Sequence, residues 1–237
     1  MRVVAWNVNH RTRARAVPRA LTDGLVALSP DVVVLTEYVP GPDHETMCAR
    51  FGALGFPYVH MSTLSAGHNQ VVIASRSVSS RGSFRLEKSA PNAECNFLHV
   101  HLESDDLDIV GFRVPAYKDP THKAAYWRRF EARVRPLVDR RIIMTGDFNT
   151  HLGRSGCVGA EALHRLQGTG WHVETPAEGG SYLSRKGKQT TIDHALVGRP
   201  LRVGDARYVL THGSYVFAGT REDAMSDHAV LQFDVVM

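Results

Sequence analysis

Residues 31–37 read Asp-Val-Val-Val-Leu-Thr-Glu, a continuous apolar run closed by a carboxylate. A strand with apolar side chains on both faces has to be covered on both faces, so it belongs inside a layered domain. The chain before it fits that demand. Residues 2–9, Arg-Val-Val-Ala-Trp-Asn-Val-Asn, open as a strand with asparagines at its end. Val17, Leu21, Leu25 and Leu28 then recur at helical spacing, with Pro18 suited to the first turn and Ser29-Pro30 as the stop. Strand, helix, strand is the opening of a layered α/β domain.

The middle of the chain is richer in strands. Residues 71–75 form a short apolar run, and the runs 97–102 and 107–112 flank the polar turn Ser104-Asp105-Asp106, a hairpin signal. A long helix is predicted from about Thr121 to Val138, with Trp127, Phe130, Val134 and Leu137 inward and Arg128, Arg129, Arg133 and Arg135 on a solvated face. Residues 142–147 are another apolar strand ending in a carboxylate, a short helix is predicted over 159–166, and 192–197 and 229–236 read as closing strands. A basic, glycine-rich loop with Gly179, Gly180, Arg185, Lys186 and Lys188 precedes them. No repeat or linker divides the chain, so one domain over 1–237 is the economical reading.

Several classes are excluded at this stage. No apolar run approaches the roughly 20 residues that cross a bilayer, and the N-terminus turns polar at once, unlike a signal peptide. Three scattered cysteines, Cys48, Cys95 and Cys157, argue for a reducing compartment and against a disulfide framework or a zinc cage. A formal charge of +4 permits a polyanionic partner without demanding one.

The chemistry gathers where apolar strands meet polar groups: Asn7 and Asn9, Glu37, Asp147 and Asn149, Asp193, and Asp227-His228. Strand ends are where layered α/β proteins collect ligands, and residues two apart on a strand face one side, so Asn7 can meet Asn9 and Asp147 can meet Asn149. Glu37, Asp147 and Asp227 are hard oxygen donors suited to Mg²⁺ or Mn²⁺. A histidine beside acids supplies a base, and asparagines supply neutral donors for a phosphate oxygen. Together these are the parts that phosphate-ester hydrolysis needs.

The strings Ala5-Trp6-Asn7-Val8-Asn9, Leu35-Thr36-Glu37, Thr145-Gly146-Asp147-Phe148-Asn149, Thr191-Ile192-Asp193-His194 and Ser226-Asp227-His228-Ala229-Val230-Leu231 resemble the endonuclease/exonuclease/phosphatase superfamily, in that family's order and over nearly the whole chain. The resemblance implies an α/β four-layer sandwich: two packed mixed β-sheets flanked by helices, with the site at one end. It implies that Glu37 binds the divalent metal, with Asp227 at the metal or just behind it. Asn7 would hold the metal shell in place, Asp147 and Asn149 would face the scissile phosphate, and Asp193 would orient His228. The pattern leaves open whether His228 or Asp147 takes the proton from water; His228 is the first choice.

The sequence also departs from the family's pattern. Asn9 stands where abasic-site endonucleases carry an Asp, which would weaken a second metal contact. Arg113, in Phe112-Arg113-Val114-Pro115, stands where the family has Tyr or His. A guanidinium suits a bidentate grip on phosphate; the alternative is a salt bridge to one of the acidic ligands. Tyr117, Lys118 and the His68-Asn69-Gln70 segment fall where substrate contacts are expected. Arg11, Arg13 and Arg15, with Arg185, Lys186 and Lys188, would meet backbone phosphates around the cleft. These features imply a divalent-metal-dependent phosphodiesterase acting on nucleic acid, DNA first, as a cytoplasmic monomer without membrane attachment. The competing readings are a phosphatase or phosphodiesterase for a phospholipid head group or small phosphorylated metabolite, and a non-catalytic binding protein on the same fold.

Overall fold

The computed structural model describes residues 1–9, 19–63, 68–86, 94–220 and 224–236. Arg11, Arg13, Arg15, Val17 and Pro18 therefore lie outside the described residues. The first half of the chain runs β1 (Arg2–Asn7), α1 (Arg19–Ala27), β2 (Val32–Tyr38), α2 (His44–Ala53), β3 (Tyr58–Met61), β4 (Gln70–Ser75), β5 (Ser79–Arg81), β6 (Phe97–Leu102) and β7 (Leu107–Arg113). The second half runs α3 (Pro120–Val134), β8 (Ile142–Asp147), α4 (Val158–Gln167), β9 (His172–Glu174), β10 (Tyr182–Leu183), β11 (Gln189–Thr190), β12 (Asp193–Val197), β13 (Arg202–Val209), β14 (Thr211–His212), β15 (Tyr215–Val216) and β16 (Val230–Val236).

Two six-stranded sheets carry the fold, ordered β13-β16-β1-β2-β4-β3 and β5-β6-β7-β8-β12-β9. Each has a single parallel pair at its centre, β1 with β2 and β7 with β8; the other pairs are antiparallel. Parallel neighbours need a crossover, and α1 and α3 lie on the two crossover connections. The C-terminal ends of both parallel pairs consequently point to polar residues: Asn7 and Glu37 in one sheet, Arg113 and Asp147 in the other.

Strand alternation builds the layers. Val3, Ala5, Val32 and Val34 pack against Ile109, Ile143 and Ala195 of the facing sheet. Their neighbours Val4, Trp6, Val33 and Leu35 turn outward under Leu21, Leu25 and Phe51 of α1 and α2. On the second sheet Val110, Phe112, Met144 and Leu196 turn outward under Trp127, Phe130 and Leu163 of α3 and α4. This is the four-layer sandwich, helices outside and sheets inside, that the sequence resemblance implied. Gly111 lets the sheets approach: a Cβ there would stand 2.7 Å from Val34 Cγ1 and from Val71 Cγ1.

The long helix is shorter than its periodicity predicts. It begins behind the Asp119 side chain, which accepts from Thr121 N at 2.8 Å. It stops at Val134 and passes into a 3₁₀ turn over Arg135–Leu137, because Pro136 has no N–H for the α-helical bond. Its exposed side carries Arg128, Arg129, Arg133 and Arg135, as a solvated face requires. Among the described residues no helix is long and apolar enough to cross a membrane.

Candidate active site

The end of β1 organises the first half of the site. Asn7 is buried and uses both ends of its amide: Nδ2 donates to Asp147 Oδ2 at 2.9 Å, and Oδ1 accepts from Asn9 N at 2.9 Å. Its carbonyl accepts from Ser226 Oγ at 2.8 Å, and the same hydroxyl accepts from His228 N at 3.1 Å. Trp6 Nε1 donates to the His228 carbonyl at 2.8 Å. The segment that carries His228 is therefore clamped to the end of β1 by two hydrogen bonds, and Ser226 Oγ ties one of them to the His228 backbone.

Glu37 sits on a bulge. Leu35 pairs with Val72 but Tyr38 pairs with Gln70, so β2 carries one extra residue there. Glu37 takes up the bulge with φ of 52°, a left-handed conformation unusual for a residue other than glycine or asparagine. A bulge re-aims a side chain at a strand end, and strain of this kind persists only where the surroundings fix it.

On the second sheet, Asp147 closes β8 directly beside Arg113 of β7 and opposite Asp193 of β12. Gly146 precedes it with φ of 139°, where a side chain would run into the Phe112 carbonyl. Asp147 accepts from Asn149 N at 2.8 Å through Oδ1 and from Asn149 Nδ2 at 3.2 Å through Oδ2, and Asn149 Nδ2 also donates to the Val114 carbonyl at 2.7 Å. Phe148 is buried between them, its ring 4.5 Å from that of Phe112, which pins this turn to the outer core.

The two asparagine pairs converge differently from the strand-periodicity expectation. Asn9 and Asn149 both lie beyond the ends of their strands, with φ of 49° and 47°. In each case the side-chain oxygen two residues earlier accepts from the asparagine backbone N–H. These are Asx turns, so the pairing is set by local hydrogen bonding and not by the pleat.

His228 Nδ1 lies 2.9 Å from Asp193 Oδ2, both groups buried, and its Nε2 lies 4.0 Å from Asp227 Oδ1. Asp193 is itself held: its N–H and that of Ile192 donate to Ser181 Oγ at 3.0 and 2.9 Å, and its carbonyl accepts from Tyr208 OH at 2.7 Å. Burial opposes charge on His228, yet Asp193, with Asp147 and Asp227 behind it, lifts the imidazole to about 9. Burial and then the Asp193 charge push the Asp147 carboxyl up to about 7, against the pull of His228 and Arg113.

Arg113 is already engaged by acids. Its Nε lies 2.6 Å from Glu37 Oε1 and 3.8 Å from Asp147 Oδ2. Of the two roles the sequence left for this residue, the salt bridge is formed in the protein alone. A hard cation would find oxygen donors here: Glu37, Asp147 and Asp227, whose Oδ1 is buried without a hydrogen-bond partner. Among the described residues no three His, Cys, Asp or Glu side chains form a ready-made metal cage. The donor set fits a Mg²⁺- or Mn²⁺-type ion that keeps much of its own water.

Asn7, Glu37, Arg113, Asp147, Asn149, Asp193, Asp227 and His228 are thus brought together. Asn9 joins through its backbone. Asn69 is buried with its Oδ1 unpartnered among the described residues, and Lys118 is exposed beyond β7. Arg185 and Lys186 are exposed at the tip of the β10–β11 ribbon. That ribbon is pinned to the site, since Leu183 N donates to the Asp227 carbonyl at 2.8 Å and Ala229 N to the Ser181 carbonyl at 2.7 Å. Ser181 and Tyr208 were not singled out from the sequence, and Trp6 stood in the quoted Ala-Trp-Asn string without a role. Ser226 stood in the quoted Ser-Asp-His string without a role, and its position two residues before His228 is the only signal that could have given it one.

No curated protein matches this chain. Among solved structures it is similar to a 3′ phosphatase, NExo, from Neisseria bound to a product DNA hairpin, at 20% identity and TM-score 0.75 with both chains covered in full. It is also similar to an AP endonuclease from Archaeoglobus fulgidus, at 20% identity and TM-score 0.75, covering 99% of this chain and 98% of that one. A third likeness is to TDP2 of D. rerio complexed with a single-strand DNA product, at 13% identity and TM-score 0.70, covering 100% of this chain and 99% of that one. These likenesses share the layered fold. With its sequence matched over residues 4–228, the chain belongs to the endonuclease/exonuclease/phosphatase family.

Proposed function

We propose that the protein is a divalent-metal-dependent phosphodiesterase that hydrolyses nucleic-acid backbones, DNA first. The observation that carries this reading is the meeting of Asp193–His228, Asp147 and Glu37 at one end of the sandwich, beside a ribbon whose exposed tip carries Arg185, Lys186 and Lys188. A chain of phosphates would reach these cations while one phosphate entered the cluster. Similarity to proteins solved with DNA products supports the same substrate.

A bound divalent ion at Glu37 would supply charge neutralisation at the scissile phosphate and a polarised water. The chain's own residues do the rest. Asp193 fixes the His228 tautomer, leaving Nε2 toward the cleft, and stabilises the imidazolium. At neutral pH the charged His228 donates a proton or hydrogen bond to a phosphate oxygen. Asp147, raised to about 7, is the better-poised group to take the proton from water. This replaces the first choice of His228 as base. Asn7 and Asn149 aim Asp147 through its Oδ2 and Oδ1.

The test is a panel of labelled duplex DNA, single-stranded DNA, RNA and a soluble phosphomonoester, with Mg²⁺ or Mn²⁺ and with chelator. Metal-dependent DNA cleavage is the expected result. Phosphate release from the soluble monoester without cleavage of any polymer would overturn it. Likeness to a 3′ phosphatase favours adding a DNA end that bears a 3′ phosphate, since the same cluster would serve a terminal phosphate.

A further inference from the structure

We propose that Arg113 is a resident counter-cation of the metal site: its guanidinium occupies Glu37 in the metal-free protein, gives way when a divalent ion binds, and is thereby presented to the substrate phosphate. The inference rests on Glu37 being the metal ligand. Arg113 and Glu37 are both largely buried, with side chains 14% and 11% exposed and Nε 2.6 Å from Oε1. Asp147 lies on the same nitrogen at 3.8 Å, so one guanidinium stands between two acids of the site. A divalent ion on Glu37 would meet that positive charge at contact distance. The two cations therefore compete for one largely buried carboxylate.

The geometry makes the pair displaceable. The Nε–H does not point along the contact, and Arg113 Nε satisfies no proper hydrogen bond. The backbone is fixed, with Arg113 paired to Asp147 across β7 and β8 and its N–H donating to the Asn96 carbonyl at 3.0 Å, so exchange needs only the side chain to move. Tyr117 lies close enough for its phenol to feel the Arg113 charge, and its buried hydroxyl has no hydrogen-bond partner among the described residues. It offers the displaced guanidinium a buried oxygen. Arginine suits the second position because its planar fork matches two phosphate oxygens.

The experiment is a Mn²⁺ titration of the intact chain without substrate, reading free Mn²⁺ by electron paramagnetic resonance. Arg113→Gln should bind Mn²⁺ roughly tenfold more tightly than wild type, the size of an ordinary coupling between two ligands. Glu37→Gln should remove the tight site, whether or not Arg113 is changed. If Arg113→Gln does not fold, Arg113→Met keeps the apolar stem and carries the same expectation. A measurement on the wild type needs no variant: adding Mg²⁺ should shift the Arg113 Nε–H resonance. Equal or weaker Mn²⁺ binding in the folded variant, or an unmoved resonance, overturns the counter-cation and leaves the metal reading intact. No Mn²⁺ binding by either protein, or tight binding that survives Glu37→Gln, overturns both.

Discussion

Two buried histidine–aspartate pairs lie at opposite ends of the second sheet, and only one of them belongs to a site. At the start of β7, Asp108 Oδ1 is 2.9 Å from His99 Nε2 and 3.0 Å from His101 Nδ1, while its Oδ2 is 2.7 Å from Arg140 Nη2. His99 Nδ1 in turn accepts from Phe84 N at 3.0 Å, so both ring nitrogens are spent. At the other end, Asp193 uses one nitrogen of His228, and Nε2 has only the Asp227 carboxylate at 4.0 Å. The difference teaches what a histidine–carboxylate pair needs to be chemical: an imidazole nitrogen left over, and a second acid that is not neutralised. In the far cluster one aspartate faces three cationic or donor side chains; in the cleft one histidine faces three acids.

The largest expected contrast follows from that surplus. His228→Ala should lower kcat/KM by about a hundred- to ten-thousand-fold, and it should lower Tm as well because it strands the buried Asp193. His99→Ala should leave kcat/KM within a few-fold and lower Tm by several degrees, because it strands a buried carboxylate. Steady-state kinetics and thermal melts on both proteins would break the comparison if the two variants lost activity alike.

Next in size is the stability held by the far cluster. Asp108→Asn should cost about 2–3 kcal/mol, less than a fully buried pair because Arg140 is half exposed. Although burial works against it, His99, His101 and Arg140 hold the Asp108 carboxyl below its usual value. A lowered acid stabilises above its unfolded pKa, and the benefit is lost as pH falls through the folded one. Denaturant melts from pH 6 to pH 3, on the order of the carboxylate range, should therefore lose stability in wild type and flatten in Asp108→Asn. The cleft pair should act on the opposite limb. His228, raised to about 9, contributes stability that is complete below about 6.5 and lost as pH rises through 9, a limb that His228→Gln should remove.

The same groups predict a bell in the rate. In kcat/KM the profile should rise through about 7 as Asp147 ionises and fall above about 9 as His228 loses its proton. A bound divalent ion would move the acid limb downward. A profile unaltered by His228→Gln would assign the alkaline limb elsewhere. The smallest effect separates the rim from the cluster. Neutralising Arg185 and Lys186 together should reduce the log–log salt slope of DNA binding by about two, with single-turnover chemistry nearly unchanged.

The central strands were legible because they are apolar runs, and the four-layer order followed from family strings. Edge elements were not. In β13 only Tyr208 and Val209 are buried, so Arg202–Val209 lacks a continuous apolar signal. In α2 just Met47 and Phe51 are buried over ten residues, too few to show a period. Which polar residues end the strands was legible; their wiring was not. The Glu37 bulge, the two Asx turns and the Arg113–Glu37 contact depend on register and on positive φ, which residue type only weakly constrains. Ser181 and Tyr208 were missed because each serves Asp193 from far along the chain, through a hydroxyl that any serine or tyrosine could offer.

The pairing of β1 with β16 has a consequence for the order in which the protein comes into being. Trp6 and Asn7 are made well before their partners His228 and Ser226, which lie 222 and 219 residues later. A chain emerging from the ribosome could form the α1 and α3 crossovers early, but its first strand would wait for the last before the middle of its sheet closed. Until then His228 has no address, and Asn7 keeps Asp147 and the Asn9 N–H. A copy that lacks residues 226–228 thus lacks the imidazole that pairs with Asp193. The cluster is closed only when residues 226–228 reach β1, as a property of topology alone.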